Sequence, residues 1–282
     1  MNPIDALFQR LRHQGRKAFI PFLAAGDPNL ETTELFLDEL FRRGAHLVEM
    51  GFPYSDPIAD GPVIQSSYTR ALQHGIRVDD IFAAVRRFVE SSDHAGAGVA
   101  PPLVGMVSYS IVHRRGPEVF LKQARAAGFS GTIMPDLPVD EAEAVARLAA
   151  ARDFKLIHLV TPTTPRDRAV RIAQLSTGFL YCVSTTGITG ERDRLPLALV
   201  EQLAWLRQQT TLPLCVGFGI SKPEHVTMLR DVADGIIVGS AFVRRVEQAT
   251  TKPLAQVVRE VGDLAQSLSE TLNPPNVESV SS

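Results

Sequence analysis

Glu49 sits in an apolar strand-like run, HLVEMG at 46–51, between Val48 and Met50. A lone carboxylate in such a run is costly unless it is paired or used. Burial lifts its pKa towards neutrality, which suits a group that must both give and take a proton. The run continues into GFPYSDPIADGP, which adds Asp56 and Asp60 and is stiffened by Pro57 and Pro62. Asp60 lies eleven residues beyond Glu49 and past the strand end, so the two carboxylates can face one cavity. Plainer readings stand beside this one. Glu49 could be salt-bridged, and Asp60-Gly61-Pro62 before a helix also reads as an N-cap, a role compatible with catalysis.

A second set of residues suits an anion. Gly217-Phe218-Gly219-Ile220-Ser221 and Val238-Gly239-Ser240-Ala241 follow the last two strand-like runs, and Thr185–Gly190 forms a third Gly/Thr-rich stretch with the character of a lid. Glycine lets peptide N–H groups approach a phosphate closely, and Ser240 adds a hydroxyl. The five lysines (Lys17, Lys122, Lys155, Lys222, Lys252) avoid the strand ends where a Schiff-base aldolase would need one. The seven histidines lack the paired spacing of a zinc or iron site, and His158, in mid-strand, reads as a core residue. Carboxylate chemistry on a phosphorylated substrate remains.

These residues need a scaffold that brings strand ends together. Strands are predicted near 18–24, 46–51, 103–109, 131–136, 155–160, 178–184, 212–217 and 235–239, several of them apolar throughout, as strands buried on both faces should be. Helices are predicted near 30–43, 62–73, 78–91, 117–128, 140–152, 166–175, 196–209, 223–230 and 253–270. This alternation predicts an α/β fold, a (β/α)₈ TIM barrel with an extra N-terminal helix, suited to plug the barrel bottom, and an extra helix after strand 2. Residues 1–271 are read as one barrel domain, 92–102 as a flexible surface loop, and 272–282 as a disordered tail. A doubly wound sheet would more often carry G-x-G-x-x-G after its first strand; Ala24-Ala25-Gly26-Asp27-Pro28 stands there instead.

The chain has 282 residues, 45% apolar and 21% charged, with a formal net charge of −2. No strong field selects nucleic acid or an anionic membrane, so a phosphate must be held locally. No apolar run is long enough to span a bilayer. The N-terminus lacks a signal-peptide core, and Cys182 and Cys215 lie in apolar runs as buried thiols. The cytoplasm is the expected location.

EMGFPYSDPIADGP at 49–62 resembles the signature of the tryptophan synthase α subunit family. PFLAAGDP at 21–28, PDLPVDE at 135–141, GITG at 187–190, GFGIS at 217–221 and VGSAFV at 238–243 match it in order along the chain. The resemblance implies retro-aldol cleavage of indole-3-glycerol phosphate to indole and glyceraldehyde 3-phosphate, without a cofactor or metal. It implies that Glu49 moves the protons and that Asp60 bonds the indole N–H and stabilises its developing charge. It assigns Phe22, Ile133, Tyr181 and Phe218 to the ring pocket, Gly190, Gly219, Gly239 and Ser240 to the phosphate, and Thr189 to lid closure. It also implies a β subunit partner in an α₂β₂ heterotetramer.

Thr185 stands where the family usually has arginine, Ser108-Tyr109-Ser110 replaces its Tyr-x-Asn, and Phe179 replaces a common tyrosine. Three alternatives stay open: a stand-alone lyase that releases free indole, a non-catalytic subunit that only activates β, and another phosphate-binding barrel enzyme such as an isomerase of the same pathway.

Overall fold

A computed structural model describes residues 1–57, 60–91, 101–184, 197–217 and 219–274. Nine parallel strands form the sheet: β1 (Ala18–Ala24), β2 (Val48–Gly51), β3 (Leu103–Met106), β4 (Gly131–Ile133), β5 (Lys155–Ile157), β6 (Leu159–Val160), β7 (Leu180–Val183), β8 (Leu214–Gly217) and β9 (Gly235–Val238). Their order is β5-β4-β3-β2-β1-β9-β8-β7-β6. β5 and β6 are the two halves of the fifth predicted strand, interrupted at His158. One half pairs with β4, the other with β7, and the His158 carbonyl accepts from the Tyr181 N–H at 3.1 Å. The ring therefore closes through His158, giving eight barrel positions as the alternation requires.

The helices are α1 (Pro3–His13), α2 (Leu30–Arg42), α3 (Pro62–Gln73), α4 (Val78–Glu90), α5 (Tyr109–Arg115), α6 (Pro117–Ala127), α7 (Ala142–Ala150), α8 (Arg166–Leu175), α9 (Leu197–Gln209), α10 (Pro223–Leu229), α11 (Ser240–Val246) and α12 (Leu254–Leu272). None of these is long and apolar enough to cross a membrane.

The two-residue period of each strand separates two packing layers. Ile20, Leu47, Val104, Ile133, Ile157, Tyr181, Cys215 and Ile237 pack together inside the barrel. Phe19, Leu23, Val48, Met50, Leu156 and Val160 pack outwards against the helices. Glu49 alternates with the outward Val48 and Met50, which turns its side chain inwards. α1 closes the bottom: Ile4, Leu7, Phe8 and Leu11 join the inner layer. The Asn2 amide donates to the Ser130 and Asp153 carbonyls at 2.9 and 2.7 Å, pinning that helix under β4 and β5.

α5 and α11 were not foreseen. Each has seven residues. α5 is held at its start by Asp136, whose carboxylate accepts from the Tyr109 N–H and the Ser108 hydroxyl, both at 2.6 Å. At the other end of the chain, the Asn273 side chain exchanges two hydrogen bonds with the Lys17 backbone. Most of the tail expected at 272–282 (275–282) and most of the loop expected at 92–102 (92–100) lie outside the described residues.

Candidate active site

A cavity of about 710 Å³ opens at the C-terminal ends of the strands. Phe22 from β1, Glu49 from β2, Tyr181 from β7, and Asp60 and Ile64 around the start of α3 line one part of it. Gly219, Gly239 and Ser240, after β8 and β9, line another. Parallel pairing sets Phe22 directly beside Glu49 in register, so ring and carboxylate share a level of the barrel.

Asp60 is placed by backbone bonds. Its N–H donates to the Pro57 carbonyl at 3.1 Å, and its own carbonyl accepts from the Gln65 amide at 2.8 Å. The N-cap of α3 is Gly61, and no side chain caps that helix. The cap reading of Asp60 therefore does not hold, and its carboxylate is left to the cavity.

Glu49 is 2% exposed, and its Oε2 has no hydrogen-bond partner. Burial, followed by the negative charge of Asp60, pushes its pKa up to about 8. Burial alone lifts Asp60 to about 6. Among the described lining residues Arg168 is the sole fixed cation, so little opposes these shifts. Asp60 ionises first, and Glu49 must then ionise against that charge; the two values are properties of the pair. Between them the site holds one neutral acid and one carboxylate. It can donate a proton at Glu49 while Asp60 stabilises a nearby positive charge. Among the described residues no group of three or more His, Cys, Asp or Glu is placed to hold a metal.

Comparison with known proteins bears on this geometry. The family profile described as "Tryptophan synthase alpha chain" matches residues 8–273. A protein of that name from Rhodopirellula baltica is 50% identical over 280 residues, covering 97% of this chain and 99% of the relative. The chain belongs to the tryptophan synthase alpha chain family. Tryptophan synthase subunit alpha from Legionella pneumophila superposes with a TM-score of 0.86 at 35% identity, covering 96% of this chain and 98% of that one. A chain of Mycobacterium tuberculosis tryptophan synthase gives 0.83 at 30% identity, over 95% and 97%. The profile match spans every strand of the chain and thus the whole cavity.

Of the residues singled out from sequence, Phe22, Glu49, Asp60, Tyr181, Gly219, Gly239 and Ser240 meet at the cavity. Ile133 does not line it. It is fully buried, packed with Val104 and Ile157 in the inner layer. Thr189, Gly190 and Phe218 lie outside the described residues. Gly219 has a φ of +77°, a region that side-chain-bearing residues rarely adopt, which accounts for glycine there.

Three residues at or beside the cavity escaped the sequence reading. Tyr68 on α3 is 3% exposed and packs with Phe22 and Ile64, and both carboxylates raise its phenol pKa after burial does. Its four-residue spacing from Ile64 was the available signal. Asp136 joins the cavity rim through the α5 bonds, a pairing no local pattern shows. His158, read as core, is buried but also lines the cavity; burial holds its pKa down at about 4, and its Nε2 is sealed without a partner.

Room for the Tyr181 ring depends on Gly217. A Cβ there would lie 2.4 Å from the Tyr181 hydroxyl and 2.7 Å from two ring carbons. Gly217→Ala should displace that ring into the cavity. The expected outcome is a loss of about 1–3 kcal/mol in stability and a rise in KM of about tenfold in steady-state kinetics, with one methylene-scale clash as the cause.

Proposed function

We propose that this chain is the α subunit of tryptophan synthase, a carbon–carbon lyase that cleaves indole-3-glycerol phosphate to indole and glyceraldehyde 3-phosphate. Glu49 protonates the ring carbon that bears the side chain, giving an indolenine-like cation. It then takes the proton from the side-chain hydroxyl as the C–C bond breaks. Asp60, ionised, bonds the ring N–H and stabilises the positive charge that develops there. Phe22 and Tyr181 contact the ring. Peptide N–H groups around Gly219, Gly239 and Ser240, with the Ser240 hydroxyl, hold the phosphate, assisted by Gly190; Phe218 adds a ring contact, Ile133 packs behind the ring pocket in the inner layer, and Thr189 serves closure. The chain works in the cytoplasm with a β subunit in an α₂β₂ assembly, to which it delivers indole.

The supporting observation is the buried Glu49, with its Oε2 unpartnered and its pKa pushed up to about 8, beside the more acidic Asp60 in a cavity whose other wall is glycine-rich. A first proton transfer to carbon needs an acid that still holds its proton near pH 7, and burial supplies one. An indole-release assay on the isolated chain, with and without a β subunit, tests the reading. Release in both cases, faster with β, is expected; no release in either would refute it.

The pH dependence follows. kcat/KM should rise as Asp60 ionises, with a limb near 6, and fall as Glu49 loses its proton, with a limb near 8. A bound phosphate adds negative charge and disfavours ionisation of Glu49, so the upper limb of kcat should lie at higher pH than that of kcat/KM. A profile flat from pH 5 to 9 would exclude this pair as the titrating groups.

A further inference from the structure

We infer that Arg70 is a positioning residue that locks the acid side of the site to its anion side. The inference rests on the roles proposed above for Asp60 and for Gly239 and Ser240. Arg70 lies on α3, the helix that begins just after Asp60. Its Nε and Nη2 donate to the two oxygens of Asp27 at 2.9 and 2.8 Å, a two-pronged grip on the loop after β1. Its Nη1 donates to Glu247 at 2.8 Å, in the turn that directly follows α11, and to Ser66 on its own helix at 2.9 Å. One guanidinium thus ties the elements that follow β9, β1 and β2, three neighbouring strands. Those elements carry Gly239 and Ser240 at one end of the span and Asp60 at the other.

Two facts separate this role from simpler ones. Arg70 faces two carboxylates, so its cluster is net negative and repels a phosphate. The Asp27 carboxyl is 1% exposed and wholly inside the protein, so the fork is a fixed joint and not a surface ion pair. Arginine suits the task because its planar fork fixes direction as well as charge. Lysine, a point charge on a flexible stem, cannot reproduce the two-pronged grip on Asp27.

The test compares Arg70→Lys, Arg70→Met and Glu247→Gln with the unaltered chain, all with the β subunit present and well below each variant's melting temperature. The readouts are kcat, KM and the Kd for glycerol 3-phosphate. In both Arg70 variants kcat should fall and Kd should rise together, kcat by about tenfold or more, because small misplacements of reacting groups are costly. Lysine should recover much of the thermal stability lost in Arg70→Met without recovering kcat, a split that a purely structural role does not give. Glu247→Gln, which removes the charge from the α11 branch alone and leaves only a neutral hydrogen bond there, should weaken anion binding more than it slows turnover. Arg70→Lys with kcat and Kd both within about twofold of the unaltered chain would overturn the inference, as would Glu247→Gln that slows turnover while leaving Kd unchanged. Should Arg70→Met fail to fold, those two variants still decide. Glu49→Gln run alongside separates the failures: if it keeps turnover, the site reading falls; if it is inactive while the Arg70 variants are unimpaired, only the clamp falls.

Discussion

Glu49→Gln is expected to abolish measurable indole release and, in the same protein, to make the fold more stable at alkaline pH. The first effect follows from assigning both proton transfers to one group. General acid–base catalysis contributes roughly 10²–10⁴-fold per transfer, so loss of both should reach at least about 10⁴. The second follows from the sign of the shift. Glu49 has a pKa of about 8 when folded against an ordinary 4.5, so the folded protein holds a proton that the unfolded chain has lost. Stability must therefore decline as pH rises from about 4.5 to about 8. Above that window the penalty is on the order of 5 kcal/mol. A glutamine carries no charge to desolvate, although its own buried amide takes back part of the gain. Denaturant melts at pH 9 should show the variant more stable by about 2 kcal/mol, with a smaller difference at pH 5. An inactive variant that is equally destabilised at both pH values would point to damaged packing instead.

Asp60→Asn is expected to lower kcat by roughly 10²–10³, the usual cost of removing one group aimed at developing charge. The asparagine can still meet the ring N–H through its carbonyl oxygen, but it cannot balance a cation. A second consequence distinguishes charge from shape. Asp60 is the second cause of the raised Glu49 pKa, after burial. Its neutralisation should move the alkaline limb of the residual activity to lower pH, while burial keeps it above the ordinary glutamate value. A rate loss with no displacement of that limb would mean that the two carboxylates do not sense each other.

The barrel was legible because buried parallel strands are apolar on both faces, as AFIPFLA and HLVEMG are, and because Glu49 broke that rule in one place. The site was legible where catalytic type and strand end coincided: Glu49, Asp60, Gly239 and Ser240. What escaped was non-local or short. The break of strand five at His158, with Lys155–Ile157 paired to β4 and Leu159–Val160 paired to β7, is a matter of long-range pairing that a single sequence does not reveal. Asp136 acts on a helix 27 residues upstream of it, through Tyr109. Ile133 is apolar and inward-facing as expected, yet it is fully buried among the inner-layer side chains and does not line the cavity, a packing detail that a single sequence does not reveal.

Direct titration of the Glu49 carboxyl by isotope-edited infrared spectroscopy, assigned by difference from Glu49→Gln, tests the central claim most closely. In the ligand-free protein the protonated-carboxyl band should persist through pH 7 and give way to the carboxylate near pH 8. A carboxylate already formed at pH 6 would show that the protein does not hold this acid in reserve, and the proton-first cleavage proposed for it would be contradicted.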